Sequence, residues 1–261
     1  MKVAITGANG FFGAYLVKAF LKENFSVFAL IRAGANLDNL PTEHQELRLA
    51  PIDYGQDLDP QIKLLKEKHQ ELDLFIHNAG VTVSLDPAEY FEINFGLAQK
   101  ILSSVEANNW VKNSGKVVYI SSLTAQGPDK INLPVSKYGE SKLKAEALFE
   151  KSRYHHLIIR PTAIYGAGDY AFLPLLKGAK NGLYPVTNAA QKMSMIHASD
   201  LAEIVLKESE RSVGILHATD GETYTHDDLI NSLQKVLQRR VRKIPVPAGL
   251  SKFILGLSDL W

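Results

Sequence analysis

"KVAITGANGFFG", residues 2–13, is an apolar run that breaks into three glycines spaced three apart. A strand closing at Thr6, a tight turn and a helix opening near Phe11 would gather free backbone N–H groups and the positive end of a helix dipole at one point. That is an anion site. Gly7 permits the turn, Gly10 lets a pyrophosphate approach the backbone, and Gly13 lets the helix pack closely on the strand. Asn9, Phe11 and Phe12 complete the predicted cofactor turn.

Working outward, apolar runs of strand length recur at 26–31, 47–52, 74–77, 116–121 and 156–160, separated by helical patterns of which the first covers 11–22. This alternation predicts an α/β, Rossmann-like, doubly wound parallel sheet with helices on both faces, because strands covered on both sides read as nearly all apolar. Past residue 165 the pattern loosens into "YGAGDY" and "NGLYPVTN", and helices return near Asp200 and Asp227. We therefore expect a nucleotide-binding domain over 1–165 that regains a segment at 195–219, and a smaller C-terminal substrate-binding part over 166–261. The last stretch, "VPAGLSKFILGLSDLW", places Leu250, Phe253, Ile254, Leu257, Leu260 and Trp261 on one helical face, which would cover a core or a dimer seam. Its ending on Trp261 suggests a natural chain that runs further.

The 261 residues carry a net charge of +1, 46% hydrophobic and 22% charged residues, and no cysteine. A balanced charge argues against nucleic acid or an anionic membrane as the main partner. Without cysteine there are no disulfides, thiolate nucleophiles or cysteine metal sites. Asn9 and Gly10 interrupt any leader-like run and no apolar stretch is long enough to span a bilayer, so a cytoplasmic, unprocessed protein is expected.

The second run ends "SVFALIRAG", with Arg32 where an acid would hold the ribose hydroxyl of NAD. A guanidinium suits a 2′-phosphate, so NADP is the expected cofactor and NAD the alternative. In "SKYGESK", Tyr138 and Lys142 lie four apart and share one helical face. An ammonium and a cationic nicotinamide nearby would lower a phenol from its ordinary value of about 10 toward useful basicity. "VVYISS" reads as a buried strand whose end offers Ser122, or its neighbour Ser121, to a substrate oxygen.

With these three features in this order, the chain resembles the extended short-chain dehydrogenase/reductase family, the NAD(P)-dependent epimerase/dehydratase group. The segments that carry the resemblance are "TGANGFFG", "LDLFIHNAG", "YFEINFGLAQKIL", "IIRPTAIYGAGD" and "MIHASDLAEIVL". It implies that Asp53 and Tyr54 meet the adenine, that His77, Asn78, Ala79, Gly80 and Asn94 line the cofactor, and that Pro161, Thr162 and Ile164 face the nicotinamide. By the same resemblance Tyr138 is the acid/base, Lys142 its partner on the ribose, and Ser122 the donor that orients the substrate oxygen. Each lesser site has a structural counterpart: Asn94 could brace a helix, Asp53 close a turn, and His77 or His197 simply pack, with Asp200 capping a helix. "RRVRK", residues 239–243, reads as a solvated face or a phosphate anchor, and no cluster has metal-ligand spacing.

Departures from the family narrow the reaction. Ser122 is followed by Leu123 and Thr124 rather than by the acids a sugar dehydratase needs, and the second part is short for a nucleotide-sugar 4-epimerase. The pattern is closest to the dihydroflavonol-reductase-like and hydroxysteroid-dehydrogenase-like branch. That implies carbonyl and alcohol interconversion on a small, moderately apolar substrate, with Val81 to Leu85, Tyr165, Tyr170, Phe172 and "QKMSMI" as lining. Two alternatives stay open: an NAD-dependent 4-epimerase, and a non-catalytic NADP-binding sensor or structural subunit. The resemblance also points to a homodimer through the helices carrying Asn94 and Tyr138.

Overall fold

The computed structural model describes residues 1–128, 131–186, 188 and 192–246. Strands β1 (Lys2–Thr6), β2 (Ser26–Ile31), β3 (Leu47–Pro51), β4 (Leu72–His77), β5 (Val111–Ile120), β6 (His155–Pro161) and β11 (Gly214–Ala218) form one parallel sheet in the order β11-β6-β5-β4-β1-β2-β3. The chain winds outward from β1 to β3, returns beside β1 as β4, and winds the other way to β11. The order reverses between β1 and β4, so the crevice beyond Thr6 and His77 is where such a sheet holds a ligand.

Two hydrophobic layers cover the sheet. On one face Phe12, Leu16 and Phe20 of α1 (Phe11–Lys22) pack with Leu201, Ala202 and Val205 of α7 (Ala198–Arg211). Their three- and four-residue spacing turns one helical stripe inward. The helix stops where Asn24 takes a left-handed φ of 59°, and Phe25 folds back edge-on against Phe20 at 5.0 Å. The other face is covered by α2 (Asp59–His69), α4 (Ala98–Ala107) and α5 (Lys137–Glu150), through Ile62, Ile101, Val105, Ala145 and Phe149. Before α4, α3 (Pro87–Tyr90) runs through a π-helical segment, Phe91–Leu97.

A separate small core joins α6 (Leu173–Lys180), β8 (Leu183–Val186) and α8 (His226–Leu237) through Leu175, Ala179, Tyr184 and Ile230. Three two-stranded pairs complete the fold. β7 (Ala163–Tyr165) pairs with β10 (Met195–His197), β9 (Lys192–Met193) with β12 (Tyr224–Thr225), and β8 with β13 (Arg242–Pro245).

Some local expectations need correction. β5 starts at Val111 rather than 116, because Trp110 and Val111 are buried beside Leu72 while the polar residues that follow pass through a register shift. The cap of α7 is His197, whose Nδ1 accepts the Ser199 N–H at 3.3 Å, and Asp200 lies inside the first turn. The basic run 239–243 is the expected solvated face, with Arg239, Arg240, Arg242 and Lys243 all exposed. Arg239 donates to the Lys180 carbonyl at 2.7 Å, Val241 is buried, and Lys243 pairs with Asp227 at 2.6 Å. Met193 and Met195 are buried. The apolar stretch from 247 onward, and Gln191, lie outside the described residues. No helix among those described is long and apolar enough to cross a membrane.

Candidate active site

At the end of β1, Gly7 holds φ at 63°, and a Cβ there would stand 2.9 Å from the Ala79 Cα. A Cβ on Gly13 would reach 2.0 Å from the Gly7 carbonyl oxygen, so the first turn of α1 closes onto the strand only with glycine at both positions. Gly10 is exposed and caps α1 without a side chain. The early amides of α1 have no helical partner and face the crevice. Phe12 is a core side chain, so only its backbone belongs to this turn, while Phe11 packs edge-on against Tyr15 at 5.8 Å. Asn9 donates to the Asn36 carbonyl at 3.1 Å and ties the glycine turn to the loop after β2.

The next turn, residues 77–80, is built around Thr6. Its hydroxyl oxygen accepts the N–H groups of Asn78 and Ala79, each at 3.0 Å, so its one hydrogen goes to His77 Nδ1 at 3.0 Å. His77 is therefore neutral with its proton on Nε2, which has no partner among the described residues. The ring stacks against Tyr119 and Phe149, and burial, aided by the Lys142 charge, pushes its pKa down to about 3. His77 is a packed strand-end residue. The unfolded chain binds this proton between pH 6.5 and about 3 while the folded one does not, so stability falls as pH falls through that window, by up to about 1.4 kcal/mol per unit. His77→Gln should remove that share of the acid sensitivity, which urea unfolding at pH 4 and pH 7 would measure.

Asn94, buried in the π-helical segment, uses its whole amide: it accepts from Val81 N at 2.8 Å and donates to Val81 O and Ser141 Oγ, each at 3.0 Å. It braces the loop that follows Gly80. A Cβ on Gly80 would meet Asn94 Oδ1 at 2.8 Å and Lys142 Nζ at 3.7 Å, so this glycine brings the turn against the lysine. Asn78 spans to the Gly7 carbonyl at 3.3 Å, joining the two turns.

Ser122 follows β5, and Tyr138 and Lys142 lie on the inner face of α5, whose cap Ser136 accepts from Gly139 N at 3.0 Å. The Ser122 hydroxyl lies close enough to Tyr138 to pull the phenol's pKa down. Ser122 Oγ accepts the Thr124 hydroxyl at 2.9 Å and the Thr124 N–H at 3.3 Å, which leaves its own hydrogen for the Tyr138 oxygen. In this chain alone the phenol is not activated as the sequence suggested. Burial pushes Tyr138 up to about 12, against the lowering pull of Ser122 and with a further push from Tyr90. Lys142 turns its ammonium to the Ile120 carbonyl at 2.7 Å and sits 4.7 Å above the Tyr119 ring. Burial pushes it down to about 7, opposed by the Glu146 carboxylate.

Glu146 is the residue that sequence reasoning missed. It lies one further turn along the Tyr138 and Lys142 face, buried, and forms a two-point ion pair with Arg160 of β6 at 2.9 and 2.6 Å. Ser121 donates its hydroxyl to the same carboxylate, so its hydrogen is used inside the ion pair. An acid eight residues after Tyr138 on an inward helical face, with a strand arginine to match, was the available signal.

The remaining sites divide. Arg32 is exposed at the end of β2; burial pushes the Tyr54 hydroxyl well above its ordinary value, and the Arg32 charge only partly opposes this. Asp53 accepts the Gly55 N–H at 2.9 Å and closes a turn. Pro161 is buried, Thr162 donates its N–H to the Ala218 carbonyl at 3.0 Å, and Ile164 packs on the first core layer.

A model of the NAD dependent epimerase/dehydratase family matches residues 3–218. The chain belongs to that family. It is an NAD(P)-dependent enzyme of the extended short-chain type. A ceramide reductase from Caulobacter vibrioides is 26% identical over 99% of this chain and 78% of its own length. A 4-hydroxy-2-methyl-3-oxo-4-farnesyl-3,4-dihydroquinoline-1-oxide ketoreductase from Stigmatella aurantiaca is 23% identical over 100% of this chain and 81% of its own. Among solved structures, the UDP-glucose 4-epimerase of Thermus thermophilus superposes with a TM-score of 0.79 at 18% identity, covering 95% of this chain and 86% of that one. This likeness establishes the shared fold of the epimerase/dehydratase family.

Proposed function

We propose that this family member is an NADP-dependent reductase that interconverts a ketone and an alcohol on a moderately apolar substrate. The observation that carries the reading is the half-buried Ser122 beside the buried Tyr138, with Lys142 one turn along the same helical face, at the carboxyl edge of the sheet. The glycine turn, with Gly10 exposed and no side chain over it, fits a pyrophosphate, and Arg32 in place of an acid fits a 2′-phosphate. Two of the relatives are reductases by name, one of a ceramide and one of a farnesyl-bearing compound.

Bound NADPH would supply the hydride to the carbonyl carbon. Tyr138, held near 12, keeps its proton at neutral pH and is set to deliver it to the substrate oxygen. Ser122, with Thr124 on both its lone pairs, aims its O–H at the oxygen that becomes a phenolate when that proton leaves. Lys142, carrying its charge below about pH 7, stabilises the same developing anion from one turn along the helix. We assign this chemistry to the cytoplasm and to a homodimer seated on the helical segments that carry Asn94 and Tyr138.

Thermal unfolding with NADP+, NADPH, NAD+ and NADH tests the cofactor first, because a ligand at about 100 times its Kd adds roughly 2.7 kcal/mol. The phosphorylated pair should stabilise selectively. Arg32→Ala should cut the preference for NADP over NAD by about 10- to 100-fold, the worth of roughly 1.5–3 kcal/mol for charge-assisted bonds to a phosphate. NADPH oxidation with a β-keto ester then tests the reaction. A preference for NAD together with turnover of a UDP-sugar and no ketone reduction would place the chain with the 4-epimerases instead.

A further inference from the structure

Seventeen large apolar side chains are exposed among the described residues, and six of them lie on two short segments rooted at Tyr138. Val83 and Leu85, the latter 96% exposed, flank Ser84, whose N–H donates to the Tyr90 hydroxyl at 3.0 Å. The Tyr90 ring packs edge-on against Tyr138 at 5.8 Å. Leu123, Ile131, Leu133 and Val135 belong to the connection from Ser122 to the cap of α5, and Val135 is 83% exposed. Gly127, at φ 72°, lies against the Leu133 carbonyl, and Gly139, next to Tyr138, lies against the Thr124 carbonyl and Pro134.

Both segments are therefore held in place by their polar roots while their apolar side chains point to water. A lone exposed leucine needs no explanation, but six apolar side chains on two segments that both root beside Tyr138 do. Among the described residues, Lys137 at the start of α5 is no free anchor for a phosphate, since it is paired with Glu140 at 2.9 Å. A protein partner on this rim would close the entrance to Tyr138, whereas part of the substrate would leave with the product.

We infer that these six side chains seat a hydrocarbon chain carried by the substrate, running outward from the carbonyl that takes the Tyr138 proton. The inference rests on the reductase reading and narrows it to amphiphilic ketones with an alkyl or acyl chain. The shared chemistry is the chain itself, whatever polar group stands beyond the ketone.

Methyl 3-oxoalkanoates with chains of increasing length, each below its micellar concentration, supply the test. With NADPH, kcat/KM should rise about twofold to fourfold for each added methylene that reaches the rim. In the double variant Leu85→Ser with Val135→Ser, the ratio of kcat/KM between the longest and shortest esters should fall by about tenfold. A parallel calorimetric titration of the NADPH-loaded protein with the corresponding 3-hydroxy esters reads affinity without turnover, because reduced cofactor and alcohol cannot react. Affinity that tightens with chain length but no ketone reduction would keep the seat and remove the reductase reading. Ketone reduction with no dependence on chain length in either assay would overturn the seat and leave the reductase reading standing. A double variant that changes sedimentation from dimer to monomer with the ratio unmoved would make the rim a subunit seam, and would equally overturn it.

Discussion

Tyr138→Phe should lower kcat for ketone reduction by about 10²- to 10⁴-fold while leaving NADPH affinity within a few fold. The substitution deletes one oxygen and keeps the ring that packs against Tyr90 at 5.8 Å. Ser122 retains its two contacts from Thr124, so the strand end has no reason to move. What disappears is the buried phenol whose pKa the neighbouring Ser122 hydroxyl pulls down. Because burial holds this phenol near 12, the proton donor should stay loaded throughout the neutral range, and single-turnover reduction should show no loss attributable to Tyr138 up to about pH 10. Full turnover by the phenylalanine variant on a substrate that the parent reduces would remove Tyr138 from the chemistry.

Arg160→Leu should cost about 3–5 kcal/mol, because it leaves Glu146 buried with an unbalanced charge. The two side chains are 4% and 2% exposed and meet at two points, so water cannot take the place of the guanidinium. For a chain of this size the loss corresponds to a fall of roughly 6–20 °C in Tm. Adding Glu146→Met should restore most of it, since removing both charges leaves an apolar contact in place of an orphaned ion. Thermal melts of the two single variants and the double variant form a cycle that isolates the pair. Equal losses in the single and double variants would mean that packing, and not the charge pairing, holds α5 to β6.

Much of this architecture was legible along the chain because it depends on near neighbours. The glycine spacing in residues 6–13 has one steric solution: Gly13 must lack a side chain where α1 closes on Gly7 O. The strand runs announced themselves because a sheet covered on both faces leaves few positions for polar residues. Tyr138 and Lys142 share a face whatever surrounds them, since 3.6 residues make a turn. Less was legible where a residue's role depends on a distant partner. The sequence marked Asp200 as a helix cap, yet β10 delivers His197 to that position and its imidazole accepts the bond instead. Asn94 and Asp53 read as cofactor ligands or as local braces with equal force; folded, the first serves Val81 and Ser141 and the second closes its own turn.

The sequence by itself determined the parallel sheet, the glycine turn and the placement of the serine, tyrosine and lysine, because each follows from steric limits and periodicity within a few residues. Only the tertiary structure decided how those groups ionise. Burial outweighs the Ser122 hydrogen bond at Tyr138 and the Glu146 charge at Lys142, and burial is set by β4, β5 and α3 arriving from far along the chain. The same holds for the ion pair of Glu146 with Arg160 and for the apolar rim. Exposure and desolvation are sums over everything that packs nearby, and no local stretch of sequence contains that sum.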